Sequence, residues 1–167
     1  MKQEITARIR KAIDIFLDAI NDGTLAKGQC TACAVGNLVA YGLNGKITKK
    51  DDGQFRCTKA NHLWGLIFTS SGDIQLIDKS YFNNPHALKN IKATDFTLEE
   101  LMEIEFAFEN NTKINSVFYS RYTPEQIRTD QINGLAAVIK VMMAFDDVNQ
   151  EIVKEAFVDR AELIPIA

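Results

Sequence analysis

The sequence predicts an α-rich α+β fold, with about five helices around one core and a single small antiparallel β-hairpin. Apolar residues recur every three or four positions near the start of the chain and through most of its second half, which is typical of amphipathic helices. Two short apolar runs in the middle are separated by turn-forming residues, as in a hairpin. Because 167 residues suffice for one buried core, we predict a single globular domain. Its parts are a helical pair at 1–45, the hairpin and loops at 46–92, and a helical half at 93–167.

The helical pair begins with a helix predicted over 3–21. Gly23 should end it, because glycine adopts the left-handed backbone conformation found at many helix C-termini. The second helix is predicted to begin after Thr31, a residue type that caps helix N-termini. Gly42 and the Asn44-Gly45 pair should end it.

The middle part carries the β signal. The apolar runs at 63–68 and 74–77 flank a Ser-Ser-Gly-Asp turn and predict the hairpin. Residues 54–58 are a candidate third strand, whereas most of 46–56 is polar and rich in turn-forming residues. A turn or a short helix start is predicted at Asn84-Pro85.

The helical half contains two strong helix starts. Thr97 and Glu100 fit a capping box, and we predict a helix from there to about Asn110. Thr123 precedes a proline that suits the first helical position, and this helix should continue to about Phe145. A last helix is predicted over 148–157.

The charge balance limits the classes of partner. With 19 basic and 22 acidic side chains the net charge is −3, whereas nucleic-acid binders usually show a basic patch or stripe. The densest cationic group is Lys46, Lys49 and Lys50, and two aspartates follow it directly, so we interpret it as a solvated loop. No apolar run approaches the ~20 residues that span a bilayer, and no signal peptide is evident. We therefore expect a cytoplasmic protein that binds neither nucleic acid nor membrane.

The soft metal ligands are concentrated in one part of the chain, at Cys30, Cys33, Cys57 and His62. The two short-spaced pairs have the ligand types and the spacing of a structural zinc site. Free cysteines are more often small buried hydrophobes, and a chain of this length needs no metal to fold. Both interpretations remain open: zinc bound by these four residues, or no cofactor.

The same residues allow a cysteine-dependent hydrolase. Cys30 or Cys33 would be the nucleophile, since a helix N-terminus lowers the pKa of a thiol. His62 would be the base, and Asp78 could orient its imidazole. The run around the two cysteines resembles the helix start of papain-like peptidases, although Ala34 stands where that family places an aromatic residue.

Two polar residues interrupt apolar helical stripes. Glu105 lies in the core-facing stripe of its helix, and Gln131 holds the same kind of position in the next one. They are either structural polar residues, with Glu105 paired or reaching water, or the lining of a polar pocket with Arg121 or Arg128.

Three runs of the sequence resemble small uncharacterised proteins of gut bacteria and their phages. They are GQCTACAVGNL at 28–38, LMEIEFAFENNT at 101–112 and DQINGL at 130–135. The resemblance implies a bacterial or phage setting, which includes virion and host-takeover roles. It implies no particular activity.

These observations favour a small intracellular, non-enzymatic binding or assembly module. Its partner would be another protein or a second copy of the chain, and a phage-encoded version could reside in the virion. A zinc-binding structural or interaction domain and a cysteine-dependent hydrolase with a Cys-His pair are the alternatives.

Overall fold

A computed structural model describes residues 1–29, 31–58 and 85–166, with no side-chain description at 85–87. The described part of the chain is α-rich and carries one two-stranded antiparallel sheet, so the predicted fold class is confirmed. Its helices are α1 Ala7–Asp22, α2 Ala34–Gly42, α3 Pro85–Lys92, α4 Leu98–Asn111, α5 Pro124–Phe145 and α6 Asp159–Glu162. Its strands are β1 Ile47–Lys49 and β2 Phe55–Cys57. No helix in these ranges is both long enough and apolar enough to cross a membrane.

Most helix ends follow from local capping. The C-cap residue of α1 is Gly23, in the left-handed conformation with φ of 68°. The predicted capping box at Thr97 forms, and a second one forms at Thr123: each threonine side chain accepts a hydrogen bond from the backbone N–H three residues later. Pro124 occupies the first turn of α5, and α3 begins at Pro85, as predicted.

The start of α2 differs from the prediction. The N-cap residue is Cys33 rather than Thr31, and its sulfur accepts a hydrogen bond from the Gly36 N–H at 3.3 Å. The cause is the buried Asn37 side chain, which donates to the carbonyl oxygens of Thr24, Ala32 and Cys33. These bonds hold the preceding residues in a turn, so the helix begins two residues later than expected.

The sheet is a short hairpin in which Lys49 pairs with Phe55 and Ile47 pairs with Cys57. The candidate strand at 54–58 is thus confirmed, but its partner β1 lies in the segment we interpreted as polar loop. The turn is closed by Asp52, whose side chain accepts the Gln54 N–H at 2.9 Å. The hairpin predicted at 63–77 lies outside the described residues.

The predicted last helix is replaced by three short pieces: a 3₁₀ turn at Gln150–Ile152, a π-helical turn at Lys154–Val158, and α6. Val153, Phe157 and Ala161 are all buried at a spacing of four. Residues four apart lie on one face of a helix, so all three side chains face the core across the π turn and α6. The apolar pattern was therefore right about burial and wrong about the type of helix.

One buried cluster joins the first and last parts of the chain. Helices α4 and α5 make the most extensive helix contact in it, and α1 and α2 pack against them. Its largest fully buried side chains include Phe16, Phe108, Phe157, Leu135 and Met142. A second, smaller cluster ties the hairpin to α2 and the loop before it, with Ala26, Ala32, Ala40, Ile47 and Phe55 as members.

Arg8 joins three elements at one end of this core. Its guanidinium binds the carboxylates of Glu100 at 2.8 Å and Asp146, and it stacks on the Phe96 ring at 4.6 Å. These bonds lower the pKa of both carboxyl groups. Arg8 thus holds α1 against the start of α4 and the end of α5.

Candidate functional site

The predicted zinc ligands are only partly within the described residues. Cys33 is fully buried, and Cys57 is half-buried in β2. Cys30 and His62 lie outside the described residues. In the part of the chain that the structure covers, no three Cys, His, Asp or Glu residues are arranged to hold a metal ion. The four-residue zinc site remains a prediction.

The hydrolase hypothesis also depends on residues that the structure does not describe. Cys30, His62 and Asp78 lie outside the described residues. Cys33 has 0% exposure and caps α2, so its sulfur is out of reach of a substrate in this structure. A nucleophile at this helix start would therefore have to be Cys30.

Glu105 lies in the core, as its place in the apolar stripe predicted, with 5% exposure. Burial and the neighbouring Glu109 raise the pKa of its carboxyl group, whereas hydrogen bonds with the Cys33 side chain and the Val35 backbone lower it, and the net result is a pKa of about 8. Its Oε2 atom has no hydrogen-bond partner within the described ranges. At neutral pH the protonated acid predominates, so Glu105 is a neutral group between α4 and the start of α2.

The other two members of the predicted polar pocket have partners of their own. The Gln131 amide donates to the Leu25 carbonyl oxygen at 2.9 Å and to the Tyr119 hydroxyl at 3.2 Å. Arg121 is exposed and stacks on the Phe118 ring at 4.9 Å. None of these contacts joins Arg121 or Gln131 to Glu105, and Gln131 behaves as a structural polar residue.

A cleft elsewhere has the dimensions of a binding site. It lies between Gly28, Gln29 and Thr31 on one side, the hairpin residues 49–56, and the 3₁₀ segment Ser116–Arg121, and we call it the hairpin groove. Its volume is about 530 Å³. Clefts of 300–1,000 Å³ are the usual size for ligand sites.

The walls of the hairpin groove are firmly connected. The Gln29 amide donates to the Gly53 carbonyl oxygen at 3.1 Å and accepts the Phe55 N–H at 2.9 Å, so it lies along β2 as a peptide group would. Gly28 has φ of 88°, and a Cβ there would lie 2.4 Å from the Asn115 side chain. The Lys27 carbonyl oxygen accepts the Ser116 N–H at 3.0 Å. The loop is therefore fixed both to the hairpin and to the 3₁₀ segment.

The groove offers cations and neutral polar groups. The Asp52 carboxylate is used in the hairpin turn, and the Arg56 guanidinium lies 3.8 Å from it. Lys49 sits over the Phe55 ring at 5.9 Å and forms no ion pair with any described carboxylate. The hydroxyl oxygen of Ser116 is buried and lacks a hydrogen-bond partner in the described part of the chain. Lys49 and Arg56 are exposed and are suited to recognition of a polar chain.

An apolar rim adjoins the groove on the 3₁₀ segment. Val117 lines the groove and is 72% exposed, while Phe118 and Tyr122 are 44% and 43% exposed. Sequence reasoning missed this surface because the residues lie between helices, where no helical or strand periodicity marks them. The available signal was the run Val-Phe-Tyr at 117–119 in an otherwise irregular segment.

Comparison with known proteins identifies no relative: no protein-family model, curated protein or solved structure matches this chain.

Proposed function

We propose that this chain is a non-enzymatic binding or assembly module that binds a protein partner through the hairpin groove and its apolar rim. The observation that carries the proposal is that exposed Val117, Phe118 and Tyr122 lie beside a polar cleft of about 530 Å³. Protein-binding surfaces combine apolar and aromatic anchors with polar groups that fix the register of the partner.

The rigidity of the groove supports this proposal. Its three segments are joined by hydrogen bonds from Gln29 to the hairpin and from Ser116 to the Lys27 carbonyl oxygen. A surface that keeps its shape before binding loses less conformational entropy when the partner arrives. The resemblance of 101–112 and two other runs to proteins of gut bacteria and their phages supports a phage or host protein as the partner.

Affinity capture from a bacterial host, read out by quantitative mass spectrometry, tests the proposal. The variant Val117→Asp/Phe118→Ser alters the rim, and Leu163→Ser is the control because Leu163 is an equally apolar residue with 81% exposure elsewhere on the chain. Removing two anchors should lower the affinity for a true partner by about tenfold or more. We expect one set of proteins to be lost with the rim variant and retained with the control.

Two results would contradict the proposal. One is capture of the same proteins by the wild type and the rim variant. The other is saturable turnover of a small-molecule or peptide substrate by the purified protein, which would identify it as an enzyme.

A further inference from the structure

We infer that the hairpin groove binds an acidic, extended segment of the partner polypeptide, with a carboxylate against Lys49 and Arg56 and a neighbouring apolar side chain on Val117. This inference rests on the proposed function, because it specifies the partner of the same surface. The supporting observations are the local charge, the exposure of the two cations and the apolar side chain of Val117 beside them.

The local charge of the hairpin is opposite to that of the whole chain. Residues 46–58 contain four cationic side chains and two carboxylates, a net charge of +2, in a protein with a net charge of −3. Complementary charge guides binding and sets the orientation of a partner. An acidic segment is attracted to this part of the surface.

The two groove cations are not held by strong ion pairs. The Nη1 atom of Arg56 donates a hydrogen bond to the neutral Gln54 side chain at 2.7 Å. Its Nη2 atom lies 3.8 Å from the Asp52 carboxylate. Lys49 has only its contact with the Phe55 ring among the described residues. Arg56 is exposed, and a guanidinium can bind a carboxylate through two parallel hydrogen bonds, a geometry that fixes direction as well as charge.

The backbone of the hairpin turn is already bonded within the chain. The Gln29 side-chain amide forms a peptide-like pair of hydrogen bonds with the Gly53 carbonyl oxygen and the Phe55 N–H. Recognition in the groove therefore depends on its exposed side chains. An extended polypeptide points its side chains alternately into the groove and away from it, so two of them can face the cations and Val117.

The distribution of charge favours a polypeptide over a nucleic acid. Nucleic-acid surfaces are extended basic patches that neutralise several phosphates. Here the two groove cations share the cleft with Asp52, and the adjoining rim is apolar. One or two carboxylates next to an apolar side chain match that surface better than a continuous row of phosphates.

Selection from a random-peptide library by mRNA display, followed by fluorescence polarisation of the synthesised winners, tests the inference. Lys49→Glu reverses one groove cation, Val117→Asp removes the apolar anchor, and Lys140→Glu is the matched control on the exposed face of α5. We expect winners that combine Asp or Glu with an aromatic or aliphatic residue. Their affinity should fall at least about tenfold in both groove variants, be unchanged in the control and decrease with added salt.

The other outcomes each overturn the inference. Selected peptides that are neutral or basic, and that no longer bind the Val117→Asp variant, would refute the acidic partner. They would remain consistent with the proposed protein-binding function. A failure to enrich any groove-dependent peptide refutes the inference, while the affinity capture described above independently decides the function. Binding of a poly(dT) probe that Lys49→Glu abolishes would indicate a nucleic acid, and self-association that Val117→Asp abolishes would indicate a second copy.

Discussion

Replacing Glu105 with glutamine should remove a pH-dependent loss of stability from this protein. The side chain is buried, and its pKa rises from an ordinary value of 4.5 to about 8 in the folded state. Between these values the folded protein keeps a proton that the unfolded chain releases. The free energy of unfolding therefore decreases as the pH rises through this window, and the loss is complete above the folded pKa.

The size of the effect follows from the same two values. Each pH unit within the window corresponds to 1.36 kcal/mol, so at pH 7 the wild type should have lost about 3 kcal/mol relative to pH 4.5 from this group alone. Glutamine resembles the protonated acid in shape and does not titrate. The variant Glu105→Gln should thus match the wild type within ~1 kcal/mol near pH 4.5 and exceed it by about 3 kcal/mol at pH 7.

Urea unfolding of both proteins from pH 4.5 to 8.5, monitored by circular dichroism, measures this difference at each pH. Comparing variant with wild type cancels the contributions of Glu100 and Asp146, whose lowered pKa values make their stabilisation decline as the pH falls. Glu103→Gln is the control, because Glu103 is exposed on the same helix and should give a flat difference. A difference for Glu105→Gln that varies by less than ~0.5 kcal/mol across the range would refute the reasoning.

Two further predictions concern packing between helices. Arg8→Met should lower the free energy of unfolding by about 2 kcal/mol at pH 7, since it removes charged hydrogen bonds to Glu100 and Asp146. The loss should shrink at low pH as these carboxylates become protonated, and a loss that stays constant from pH 7 to 3 would contradict this. Gly134→Ala should cost about 1–3 kcal/mol, because its Cβ would lie 1.9 Å from the Thr112 Oγ1 atom. Thr112→Ala should rescue that variant in thermal unfolding, and an additive effect would exclude the clash.

Much of the fold was predictable because helix ends depend on residues close in sequence. The threonines at 97 and 123 bond to backbone groups three residues away, so their capping boxes could be identified without tertiary information. The prediction of Thr31 as the N-cap of α2 was wrong because the deciding contacts come from Asn37. Its side chain, inside α2, donates hydrogen bonds to three preceding carbonyl oxygens. Strand β1 was missed because only Ile47 among its three residues is apolar, so the sequence shows no strand periodicity there.

The candidate site was less accessible to sequence reasoning. The helical position of Glu105 put it in the core-facing stripe and left open whether it is paired or reaches water. Its burial and elevated pKa depend on packing against the start of α2. The hairpin groove draws on residues near 29, 54 and 117, which are far apart in sequence and individually ordinary. No spacing rule joins such segments, because their proximity depends on how the hairpin packs on α2 and on how α4 leads into the 3₁₀ segment.

The sequence by itself determined the α-rich class, the positions of the long helices and the place of Glu105 in a core-facing stripe, since helical periodicity and capping act over one or two turns. Only the tertiary structure decided that Cys33 caps α2, that 47–57 forms a hairpin and that a groove lies beside Val117. The physical reason is that hydrogen-bond partners and solvent exposure in these regions come from distant parts of the chain. Such contacts depend on the packing of the whole core and not on the local order of residues.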